Sequence, residues 1–63
     1  MIRLTTKGVG VFNVVRDYSP NELAAIQSIM YEHITTDNFQ NITALPQETL
    51  GKLTKKGLIK ENK

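Results

Sequence analysis

ETLGKLTKKGLIK, residues 48–60, is the stretch on which the reading of this chain turns. Pro46, just ahead of it, suits the first turn of a helix, and Glu48 places an acid where the helix dipole favours one. Leu50 and Leu53 are three residues apart and form an inward face, while Lys55 and Lys56 complement the negative end. Gly57 stands where a helix is closed by a left-handed residue. Leu58 and Ile59 then begin an apolar start to a short strand. The spacing predicts a helix over 46–56 and a strand over 58–61.

Upstream, SPNELAAIQSIMYEHI predicts a helix over 20–34. Ser19 and Glu22 make an S-x-x-E capping box and Pro20 fits the first helical position. Leu23, Ile26, Met30 and Ile34 recur at spacings of three and four, an apolar stripe widened by Ala24, Ala25 and Ile29. In TTDNFQNI, Asp37 with Gln40 repeats a capping pattern, and Phe39 and Ile42 can dock a short helix over 37–42. The first segment, MIRLTTKGVGVFNVVRDY, supports two readings. The favoured one is a β-hairpin with strands at 2–5 and 9–15 about a Lys7-Gly8 turn, because Val9, Val11, Val14 and Val15 are β-branched. The other is a helix over 6–16 with Val11, Val15 and Tyr18 on one face. Together these elements predict a single α+β domain over 1–63: three helices and a small antiparallel sheet.

Sixty-three residues bury little apolar surface, and a core of that size rarely supplies more than about 3–5 kcal/mol. Cysteine is absent, which removes disulfides and thiolate metal sites. No apolar run approaches the roughly 20 residues that span a bilayer, and Met1 does not open a signal-peptide pattern, so a cytoplasmic protein without membrane contact is expected. The net charge of +2 is unevenly distributed. Residues 1–47 hold Arg3, Lys7 and Arg16 against Asp17, Glu22, Glu32 and Asp37; residues 48–63 hold Lys52, Lys55, Lys56, Lys60 and Lys63 against Glu48 and Glu61. The basic character belongs to the tail, and it suits either a polyanion or a solvated helix face.

Catalytic chemistry finds little support. His33 is the single histidine, with Asp37 four residues on and Ser28 five back, too few groups for a metal site or an oriented nucleophile. The G-x-G at Gly8 and Gly10 lacks the rest of a phosphate-cradling motif. The six carboxylates are scattered, and Phe12, Tyr18, Tyr31 and Phe39 lie away from the lysine-rich tail in sequence, unlike the stacking platforms of single-strand binders. No enzyme and no cofactor are expected.

Residues 48–60 resemble the end of the recognition helix in winged helix-turn-helix regulators, the broad group that includes the MarR-type repressors. Leu53, Lys55, Lys56, Gly57, Leu58 and Ile59 match that pattern, in which a basic pair and Gly-Leu-Ile lead into a wing strand. The order of a long helix, a short one and a third is also similar. MIRLTTKG looks like the segment that follows a wing, so 2–5 is expected to lie antiparallel to 58–61. The resemblance implies a DNA-binding transcriptional regulator with its third helix in the major groove of double-stranded DNA. Gln47, Glu48, Thr49 and Lys52 would then face the bases, and Lys55, Lys56 and Lys60 the phosphates. A homodimer is expected because one short module binds weakly. The alternative is a protein-interaction module, an adaptor or inhibitor with a protein partner, built on the same scaffold.

Overall fold

Strand β1 (Ile2–Leu4) ends at Thr5, which converts strand into helix. The Thr5 amide donates to the Leu58 carbonyl at 3.0 Å, and its hydroxyl donates to the Gly57 carbonyl at 2.6 Å. The same oxygen accepts from the Gly8 amide at 3.1 Å and so caps helix α1 (Thr6–Val9). Two 3₁₀ turns follow, Gly10–Asn13 and Val15–Asp17. These coordinates come from a computed structural model that describes residues 1–61.

Residues 9–15 are therefore not a strand, and Lys7-Gly8 is not a hairpin centre. The segment takes the helical alternative, broken at Val14, where φ is −136° and ψ is 47°. The decisive contact is distant in sequence: a Cβ on residue 8 would collide with the Leu58 carbonyl, so only glycine lets α1 lie this close to the start of the second strand. Val11 is buried and Tyr18 packs at the core edge, as the helical reading requires, but Val15 is exposed together with Val9 and Val14. Tertiary packing overrode the β-propensity of the valines.

Helix α2 (Pro20–Tyr31) has the full capping box at Ser19 and Glu22 and Pro20 at its first position. It stops at Tyr31, three residues earlier than the periodicity predicts. Glu32 is already extended, and Ile34 is buried as part of an extended link whose carbonyl accepts from the Ile2 amide at 2.8 Å. The buried stripe is Glu22, Ala25, Ile26 and Ile29, so Met30 turns outward rather than inward. Helix α3 (Phe39–Thr43) is launched by Thr35 and Asn38 instead of Asp37 and Gln40. The Asn38 amide donates to Thr35 Oγ1 at 3.2 Å, while Asn38 Oδ1 accepts from the Thr35 amide at 2.7 Å. This is the reciprocal geometry of a capping box with asparagine in the acid's role.

Helix α4 (Glu48–Lys55) is preceded by one tight turn from Pro46, with the Thr49 amide on the Pro46 carbonyl and the Leu50 amide on the Gln47 carbonyl. Its far end is a Schellman closure. The Leu58 amide donates to the Leu53 carbonyl and the Gly57 amide to the Thr54 carbonyl, both at 3.0 Å, with Gly57 at φ +72°. Leu53 and Leu58, the hydrophobic pair of that motif, are both fully buried.

Strand β2 (Ile59–Glu61) runs antiparallel to β1 in the expected pairing: Ile2 opposite Glu61, Arg3 opposite Lys60, Leu4 opposite Ile59. The described residues thus form a small α+β domain of winged-helix-like architecture, with a two-stranded ribbon that pairs residues 2–4 with residues 59–61. Phe39, Ile26, Ile34, Leu53, Leu58 and Val11 are its largest fully buried side chains.

Candidate nucleic-acid interface

Helix α4 buries Thr49, Leu50 and Leu53 and leaves Glu48, Gly51, Lys52 and Lys55 in solvent. Spacings of three and four put the exposed set on one side of the helix. Thr49 is only 4% exposed and does not face outward. It sits one turn before Leu53, so a helix that buries Leu53 buries Thr49 with it, a signal already present in the spacing. Glu48 stands four residues before Lys52, an order favourable in a helix, though the two form no ion pair.

Gln47 is exposed, but its side-chain amide is engaged: Nε2 donates to the Thr36 carbonyl at 2.9 Å and ties the start of α4 to the loop before α3. Beside it lies a cleft of about 260 Å³ lined by Ile2, Leu50 and Ile59 among others.

Lys56 is not available in the way its sequence position suggests. Its Nζ lies 2.6 Å from Glu22 Oε2 and 5.2 Å from the centre of the Tyr18 ring, so Tyr18, distant from the basic tail in sequence, is brought to it by the packing of α2 against α4, within reach of a cation–π contact. The ammonium therefore fastens the C-terminal end of α4 to the N-terminal end of α2. Glu22 is buried, and its other oxygen accepts from the Ser19 amide at 3.1 Å. The Lys56 hydrogen bond, followed by that of the Ser19 backbone, holds the Glu22 carboxyl below its ordinary value of 4.5, against the opposing effect of burial.

On the ribbon, Lys60 is exposed and directly opposite Arg3, also exposed. Opposed residues of an antiparallel pair project to the same face, so two positive charges share one side of the ribbon. Arg3 was missed in the sequence, although the expected pairing of 2–5 with 58–61 contains it. Among the described residues no acid forms an ion pair with Arg3, Lys52, Lys55 or Lys60. Lys63 lies outside the described residues.

Elsewhere, His33 is exposed, and among the described residues no three His, Cys, Asp or Glu side chains are gathered closely enough to hold a metal ion. No helix among them is long and apolar enough to cross a membrane. No protein-family profile, no curated protein and no solved structure matches this chain.

Proposed function

We propose that this domain binds double-stranded DNA, with the exposed side of α4 entering the major groove and the basic ribbon lying along the phosphate backbone. The observation that carries the reading is Arg3 opposite Lys60. Like charges directly across a strand pair destabilise a sheet, and a polyanion laid on that face converts the repulsion into attraction. Lys52 and Lys55 on α4 add two charges that no acid among the described residues pairs with.

The geometry narrows the expected contacts. Lys52 is left to reach guanine or phosphate, Glu48 to accept from cytosine, and Lys55, Lys60 and Arg3 to meet phosphates. Thr49 drops out because it is buried. Bidentate recognition of adenine by Gln47 would require its amide to leave the Thr36 carbonyl. With few side chains free to read base edges, binding should be weakly sequence-selective and strongly salt-dependent.

Anisotropy of a labelled random duplex across a salt series tests this. If Arg3, Lys52, Lys55 and Lys60 each neutralise one phosphate, log affinity falls with log salt at a slope of about −3.6, a loss of roughly 150-fold between 50 and 200 mM. Replacing Lys52 and Lys55 together with alanine should flatten that slope by about 1.8 without altering the fold. Absence of binding at low salt by the folded protein would refute the reading and favour the second one, a protein-interaction module. That alternative is supported by the apolar side chains left in solvent at Phe12, Met30 and Tyr31.

A further inference from the structure

We infer that the neutral face formed by α2 and the 3₁₀ segment before it is a self-association surface, through which two copies pack with their α2 helices antiparallel. This inference is independent of what α4 binds.

The face is defined by an absence of charge. Neither residues 8–15 nor residues 23–31 contain a single Asp, Glu, Lys, Arg or His. The two segments meet around a shallow cleft of about 220 Å³ lined by Phe12, Gln27, Met30 and Tyr31. Tyr31 is 75% exposed and Phe12 42%, and Val9, Val14 and Val15 extend the apolar surface along the chain. Aromatic residues and methionine with no charge at the centre are the composition of an interface core rather than of ordinary surface. Scattered exposed apolar residues are normal, but side chains gathered round one cleft are not scattered.

Charge placement selects the occupant. Arg16 and Asp17 are exposed just before α2, and Glu32 and His33 are exposed just after it. In an antiparallel pair of α2 helices, each about 18 Å long, the Arg16 end of one copy meets the Glu32 end of the other, twice by symmetry. The same arrangement sets the positive end of each helix dipole beside the negative end of its partner's. Approach through α4 or the ribbon brings Lys52, Lys55, Lys60 and Arg3 together on a chain whose net charge is +2. The neutral face lets two copies meet without that repulsion, and unlike the uncharged α3 segment it gathers two aromatic rings and a methionine round one cleft.

Sedimentation equilibrium of the full chain, from about 10 µM to about 1 mM, tests the inference. The expected result is a reversible rise from 7.1 kDa to twice that mass, little changed by salt because the centre of the contact is uncharged. Tyr31→Glu, with its fold checked by circular dichroism, should weaken association by at least about 30-fold, as loss of a central tyrosine commonly does. Ile42→Glu, at an exposed apolar residue outside the cleft, should leave it unchanged. Arg16→Glu should weaken it, and Arg16→Glu combined with Glu32→Arg should restore it. A monomer at every concentration, a dimer indifferent to Tyr31→Glu, or no restoration by the double exchange would each overturn the proposal.

Discussion

Glu22 accepts from the Ser19 amide through one oxygen and from the Lys56 ammonium through the other, so one carboxylate caps α2 and holds α4. Its folded-state pKa lies below the ordinary 4.5. The stabilisation is therefore present in full above the unfolded-state value and is lost as pH falls through the folded-state value. Urea unfolding at pH 7 and at pH 3 should show Glu22→Gln less stable than the parent by roughly 1–3 kcal/mol at the higher pH, with the gap closing at the lower one. Lys56→Ala should also destabilise, because it leaves that carboxylate buried without its partner. Lys52→Ala, at an exposed and unpaired site, should stay within about 0.5 kcal/mol of the parent in the same assay. Two lysines four residues apart thus belong to different tasks, one structural and one surface. Nothing local distinguishes them; Glu22 is 34 residues from Lys56, and only the packing of α2 against α4 reveals the pair.

Among the elements, those specified by neighbouring residues were legible. The cap of α2 and the closure of α4 at Gly57 depend on groups within a few positions, and both formed as expected. Gly57→Ala should therefore cost about 1–2 kcal/mol in thermal unfolding, the strain of a left-handed alanine. Residues 6–17 were not legible, because their valines argue for a strand while the deciding atom, the Leu58 carbonyl, lies across the molecule. Gly8→Ala should prove more damaging than Gly57→Ala, since the colliding group is backbone and cannot rotate away. The candidate interface was readable for Lys52, Lys55 and Lys60; Arg3 required the strand register, and Thr49 required taking the Leu53 face one turn back. The ribbon also predicts a trade. Arg3→Thr removes a like-charge pair and should raise stability by about 0.2–1 kcal/mol at low salt, while weakening duplex binding in the anisotropy titration.

For the molecule as a whole, the accessible surface of 4227 Å² is close to the roughly 4,100 Å² that scaling gives for a 7.1 kDa monomer. The chain is thus as closed as a monomer of its mass and can fold before it associates. Its cooperativity rests on long-range closure: the Ile2 amide reaches the Ile34 carbonyl and the Thr5 amide reaches Leu58. Native-state hydrogen exchange should find these two amides opening at the same free energy as those in the middle of α2, with no early fraying of β1. Exchange at Ile2 and Thr5 far faster than in α2 would show the ribbon to be a loose appendage.

The pairing of Ile2 with Glu61, and the Met1 amino group 3.4 Å from the Glu61 carboxylate, also has a practical side. A polypeptide attached directly before Ile2 or directly after Glu61 would emerge beside Arg3 and Lys60 and crowd the basic ribbon. Cargo inserted instead at the exposed, left-handed Ala44, between α3 and α4, would interrupt neither strand of that ribbon. Joining residue 1 to residue 61 with a short linker and reopening the backbone at that turn should give a rearranged chain with the same interior.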